Sequence, residues 1–173
     1  MKRKTLARLI ALASLASLAA PGLASAAICR VAPGASPLGS GSSWTDPTDL
    51  QAALNASVCT QVWIKKGVYK PATDPTDTGA TFHIAPGVKV YGGFKGTETS
   101  QGQRSYTSND LTVLSGDIDN NDTTSAQGVT ESWRDVHGQN AYSVVSFTPE
   151  DPYNPETYTN QTVLDNVVIT GGS

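Results

Sequence analysis

Short β-rich runs, each cut off by glycine or proline, fill most of this sequence and restrict what it can fold into. Val62-Trp63-Ile64 ends at Lys65-Lys66-Gly67, and Val68-Tyr69 resumes briefly before Pro71 and an Asp/Thr/Pro loop over 72–79. Phe82-His83-Ile84 closes at Pro86-Gly87, Val88 and Val90 at Tyr91-Gly92-Gly93, and Thr112-Val113-Leu114 at Ser115-Gly116-Asp117. Tyr142 to Phe147 stops at Pro149 and Val163 to Ile169 at Gly171-Gly172. Runs of about three to six residues between turn-formers read as strands.

Sandwiches, barrels and solenoids all use many short strands. The first two favour two-residue Asn-Gly or Asp-Gly hairpins, and neither dipeptide occurs here. The gaps between runs instead vary widely, as they do when stacked coils keep tight corners and accept insertions on one loop face. Gly67 to Gly93 spans 26 positions and Gly93 to Gly116 spans 23, near one coil of a parallel β-helix, while Gly172 lies 56 further on. The pattern predicts a β-solenoid whose corners fall at the Gly-Gly stops, because glycine alone adopts positive φ without penalty. Such a stack needs a lid on its first coil. The helix expected from Pro47 to about Ala56, with Asp46 as N-cap, Pro47 at the first helical position and Leu50, Ala53 and Leu54 on one face, is placed to be that lid.

The N-terminus has export character. Lys2, Arg3, Lys4 and Arg8 precede an apolar run from Leu9 to about Ala20, then Pro21-Gly22 and Ala24-Ser25-Ala26, which predicts a signal peptide over 1–26. A membrane-anchoring helix is the alternative, although the apolar run is short for a bilayer. Cleavage would leave 8 Lys+Arg against 15 Asp+Glu, a net charge of −7, which argues against nucleic acid as a partner. Cys29 and Cys59 read as one disulfide in an exported chain, with two free buried thiols as the alternative. The expected organisation is a signal peptide over 1–26, an N-terminal segment with its capping helix over 27–60, and β-helix coils over 61–173.

The order "GSSWTDPTDLQAAL", "VWIKKGVYKP", "TFHIAPGVKVYGGFKGTETS", "TVLSGDIDNND", "NAYSVVSF" and "TVLDNVVITGG" resembles the N-terminal part of bacterial exported right-handed parallel β-helix proteins of the pectin lyase-like, choice-of-anchor type. The resemblance covers about residues 40–172. It implies an all-β, right-handed parallel β-helix at the cell surface, in the outer membrane or outside the cell, with no transmembrane segment in the mature chain. Such proteins continue beyond the point matched by Ser173, so the expectation is an incomplete C-terminal end that continues in a longer chain. The implied role is non-catalytic, with loops presented for adhesion or carbohydrate binding; the alternative is a polysaccharide lyase or a glycoside hydrolase.

Residues with chemistry are few. Asp117, Asp119 and Asn121 alternate oxygen-bearing side chains like the first ligands of a calcium loop. Asp122 stands where an EF-hand has glycine and Gly128 where it has glutamate, so an Asx-rich turn is the competing reading. Arg104, Lys89 and Lys95 are the nearby bases, and no catalytic residue is assigned. Trp133, in a polar loop, is the candidate sugar platform. Trp44 is expected to pack beside the capping helix and Trp63 within a strand. His83 is expected to point outward, and His137 to lie in a polar loop.

Overall fold

The computed structural model describes residues 27–147 and 161–173, so the expected signal peptide lies outside the described residues. Nine strands carry the fold of the described residues: β1 (Ala27–Val31), β2 (Cys59–Lys65), β3 (Gly67–Tyr69), β4 (Phe82–Ile84), β5 (Lys89–Phe94), β6 (Thr112–Ser115), β7 (Val145–Phe147), β8 (Val163–Asp165) and β9 (Val168–Thr170). They form a four-stranded sheet ordered β1-β2-β5-β8, a three-stranded sheet ordered β3-β6-β9 and the pair β4-β7. Every pairing among these described strands is parallel. From β2 onward each strand pairs with the one three places later, so the chain visits the three sheets in turn and then returns to the first. Parallel pairs cannot be closed by a tight hairpin, which explains why the hairpin dipeptides are missing.

Register sorts side chains into columns. Cys29, Val62, Val90 and Leu164 align across the four-stranded sheet, as do Tyr69, Leu114 and Ile169 across the three-stranded one. These columns, with Phe82 and Ile84, meet in one apolar core. Burial is near complete in the middle of the stack, where Val62, Ile64, Phe82, Val90 and Leu114 are at most 1 % exposed. The stack finishes on uncovered residues: Ile169, at the end of its column, is 51 % exposed, and Phe147, the register partner of Ile84, is 44 % exposed.

The opposite end is covered by the chain itself. Arg30 N–H donates to the Gly41 carbonyl (2.8 Å), Thr48 N–H to the Arg30 carbonyl (3.0 Å) and Ala32 N–H to the Thr48 carbonyl (3.4 Å), which satisfies the outer edge of β1. These bonds keep the segment before the helix extended. The helix therefore starts later than Pro47: α1 spans Leu50–Asn55, and its N-cap is Asp49, whose carboxylate accepts from Ala52 N–H. Leu50, Ala53 and Leu54 enter the core beside Val31 and Phe82, as the helical spacing predicted. A disulfide joins Cys29 of β1 to Cys59 of β2, 30 residues apart.

The corners correct two expectations. Gly93 lies within β5, which runs through the Gly92-Gly93 pair to Phe94 instead of stopping there; its φ is 85°, and a Cβ there would collide with the Asn166 side chain and the Ser105 carbonyl. Gly116 ends β6, so it marks a different corner of the same circuit, and the 23-residue interval is not a coil period. The run from Val163 to Ile169 also bends, because Asn166 takes φ 58° and splits it into β8 and β9. Asparagine tolerates this conformation. Its Nδ2 donates to the Gly92 and Ser105 carbonyls, tying the corner after β8 to the glycine pair of β5 and to the segment that follows that strand. Likewise, the strand expected from Tyr142 is confined to Val145–Phe147.

Two stability measurements follow. Gly93→Ala meets both strain and collision, and should cost at least about 2 kcal/mol in denaturant unfolding. Reducing the disulfide should lower stability by roughly 3 kcal/mol, given its loop length.

Candidate functional site

The outer face of the four-stranded sheet carries much of the aromatic content, but it is closed. Arg30, Trp63, Tyr91 and Asp165 align in register across β1, β2, β5 and β8. Trp63 stacks on Phe94 with centroids 4.7 Å apart, and Trp44 leans on the same ring at 5.5 Å. Trp44 thus packs here rather than beside the helix, where its indole N–H donates to the Glu98 carbonyl (2.9 Å). Glu98 in turn accepts the backbone N–H groups of Lys95, Gly96 and Thr97, fixing the turn that brings Phe94 under the two indoles. Arg104 is 8 % exposed, lies over the Tyr91 ring at 4.9 Å and pairs with Asp165 at 2.8 Å. Its guanidinium clasps this cluster and is not available to act as a base. Lys95 is drawn to Asp110 at 3.4 Å.

A second set of polar residues lies in the loop from Gly116 to Val144. Asp117 is buried and accepts from Lys70 Nζ (2.9 Å) and from Asn121 N–H (3.0 Å). Burial pushes its carboxyl upward, but the lysine and the amide donors outweigh that and hold it below the usual carboxylate range. Asp119 Oδ2 accepts from Gln139 N–H (2.8 Å) and from Asn121 Nδ2 (2.9 Å). Asp122 accepts from His137 N–H, Thr130 Oγ1 and Asn140 Nδ2. Asp117, Asp119 and Asn121 are therefore brought together, but as members of a turn network: Asn121 offers Asp119 its amide nitrogen and Lys70 occupies Asp117. Sequence reading did not single out Asn140. Its long separation from Asp117, with which it forms an isolated antiparallel bridge, gave no local signal.

Trp133 behaves differently from the other two tryptophans. It is 77 % exposed on a 3-10 turn, Trp133–Asp135, that begins at Ser132, whose hydroxyl accepts from Arg134 N–H. Thr123 N–H donates to the Asp135 carbonyl (2.9 Å), which anchors the turn to the carboxylate loop. The Arg134 guanidinium lies 4.8 Å from the Trp133 centroid. Beside the ring runs a groove of 530 Å³ with apolar walls at Val145 and Ile169 and polar groups at Thr130, Glu131, Ser132 and Ser143. Tyr106 and Tyr142, the other aromatics considered with it, are exposed, but Tyr106 belongs to Arg104, from which its hydroxyl accepts at 2.7 Å.

The histidines serve locally. His83 faces away from the core between buried Phe82 and Ile84, with Nδ1 3.3 Å from Ser146 Oγ, its register neighbour. His137 binds Asp122 through its backbone. No helix among the described residues is long and apolar enough to cross a membrane. Comparison with known protein families, characterised proteins and solved structures returned no match.

Asp110 offers a pH test of this surface. The Lys66 ammonium at 2.7 Å, then Ser105, hold its carboxyl far below the usual 3.8, with Thr107 and Lys95 adding to the effect against some burial. In the unfolded chain the group takes up its proton near the usual value, so acidification favours unfolding. Melting temperature should be flat above about pH 5 and fall below about pH 4, with a shallower fall in Asp110→Asn. An identical acid slope in wild type and variant would remove this role from Asp110.

Proposed function

We propose that this chain forms the first coils of an exported parallel β-helix that presents its loops, without catalysis, to carbohydrate at or beyond the cell surface. The observation that carries this reading is Trp133, a large indole held out of the surface beside a groove with both apolar and hydrogen-bonding walls. A pyranose offers an apolar C–H face for such a ring and hydroxyls for flanking carboxylate and serine groups. Glu131, Ser132 and Ser143 supply those partners here. The parallel pairing of each strand with the one three places on supports the β-helix part of the reading, and the Cys29–Cys59 disulfide supports an oxidising compartment.

Titration of the full chain with a panel of soluble polysaccharides, followed by tryptophan fluorescence, tests the proposal. At least one glycan should shift the emission, and Trp133→Ala should weaken its binding about 10-fold or more while leaving the melting temperature within about 1 °C, since the side chain is exposed. A Trp133→Ala protein that binds as well as wild type would overturn the assignment of the groove. Release of unsaturated or reducing sugar ends from the bound glycan would overturn the non-catalytic role.

A further inference from the structure

A cavity of 690 Å³, larger than the groove beside Trp133, is walled by four segments of the chain: the loop over 34–37, the start of α1, the end of β3 with the loop that follows it, and the turn after β6. The buried part of its lining is apolar. Leu50, Tyr69, Phe82 and Ile118 are core residues at most 5 % exposed, and they form its floor. The Tyr69 hydroxyl donates to the Lys65 carbonyl (2.6 Å), so its polar group is satisfied within the fold and the ring is left as apolar wall. Cavities of roughly 300–1,000 Å³ with apolar walls and a few placed polar groups are of the size and make-up that small ligands fill.

The more exposed part of the lining is acidic. Asp49, Asp74 and Asp77 bring three carboxylates to it, and Lys70 one cation. Lys70 is already engaged, its Nζ donating to Asp117 Oδ2 (2.9 Å) and to Asn120 Oδ1 (2.8 Å), whereas among the described residues no ion pair serves Asp49, Asp74 or Asp77. The backbone N–H and then the hydroxyl of Thr76 hold the Asp74 carboxyl below the usual carboxylate range, which keeps it charged at neutral pH. The negative field reaches the floor: after burial itself, the charge of Asp49 pushes the Tyr69 hydroxyl upward. Local bonds set the carboxylates in place. Asp49 caps α1 by accepting from Ala52 N–H (3.1 Å), and the segment from Asp74 to Ala80 is folded by Asp77 N–H on the Asp74 carbonyl and Ala80 N–H on the Asp77 carbonyl (3.1 Å each).

We propose that this cavity binds a small organic cation, an ammonium or guanidinium group carried on an apolar body. Charge complementarity selects it. The floor takes the body out of water, and the three carboxylates compensate the charge; an anion meets three like charges, and a neutral molecule gains nothing from them. A metal ion does not fit the same description, because no three His, Cys, Asp or Glu side chains among the described residues are grouped to hold one. The positive charge therefore has to arrive on a body that the apolar floor can hold. A free molecule is the occupant, since the volume takes one whole. The site is separate from the groove beside Trp133 and does not depend on the saccharide reading.

The test is a titration of the isotope-labelled full chain at neutral pH with three probes of one shape and different charge: benzylammonium, benzyl alcohol and benzoate. Amide shifts should saturate with benzylammonium at a Kd of about 1 mM or tighter, as an efficient ligand of that size allows. The moving amides should lie at 49–51 and 70–77. Benzyl alcohol should bind at least about 5-fold more weakly, benzoate should give no saturable shift, and added salt should weaken the ammonium. Asp74→Asn with Asp77→Asn should cost about 5-fold or more in affinity without changing the melting temperature by more than about 1 °C, since both side chains are exposed. Asp135→Asn, in the loop that carries Trp133, should bind as wild type does. No saturable shift with benzylammonium, equal affinity for the alcohol or benzoate, shifts centred elsewhere, or undiminished binding in the double variant each overturns the proposal. Binding of the peptide acetyl-Ala-Lys-Ala-amide with benzylammonium inert would also overturn it, by making a protein partner the occupant. The charge series in wild type stands whether or not the variants fold.

Discussion

Within the stack, apolar residues of the interior columns are covered by residues from the neighbouring circuits of the chain, and the rest of the structure depends on that stacking. Val62 lies between Cys29 and Val90, and Val90 between Val62 and Leu164. No circuit can bury its own apolar side, so stability comes from contacts between residues distant in sequence. At the first end, the problem is met by α1 and by the extended segment bonded to β1. The disulfide fastens that closure, since it links the first two strands of the column. Asn166, Gly93 and the Ser105 carbonyl then lock successive corners, which holds the register that keeps apolar residues inside.

Fixed strands free the connections to vary. The segment between β5 and β6 wraps Arg104 and Glu98 over the outer aromatic cluster and so is structural. The segment between β6 and β7 builds a second polar layer, in which three aspartates and Asn140 hold the backbone that carries Trp133. The groove beside Trp133 falls on that segment, whose side chains have hydrogen-bonding capacity and exposed aromatic surface beyond what the fold itself uses. A stiff base under an exposed ring also lowers the entropy lost on binding.

Much of this was legible in local sequence. Glycine and proline punctuation located the strands, missing hairpin dipeptides pointed to crossovers between parallel strands, and an even cysteine count gave the disulfide. The helical spacing of Leu50, Ala53 and Leu54 named the buried face, while the start of α1 was misplaced because the bonds that keep Thr48 extended come from β1, about 18 residues earlier in the chain. Asn166 hid a corner because its side chain, and not glycine's freedom, stabilises the left-handed turn. Trp44 was assigned to the helix by proximity in sequence, whereas Phe94 and Glu98 hold it from the next circuit. Trp133 is the exposed one of the three tryptophans, as its polar loop suggested; Asn140 gave no local signal, since its partners lie 18 and 31 residues away.

Interstrand nuclear Overhauser effects in isotope-labelled protein test the parallel stacking most directly. Parallel stacking predicts amide-to-α contacts in a parallel pattern linking Gln61 with Lys89 and Lys89 with Val163, together with Val68 to Val113. Close α-to-α contacts between sequential strands, as hairpins would give for β2 with β3 or β5 with β6, would contradict it.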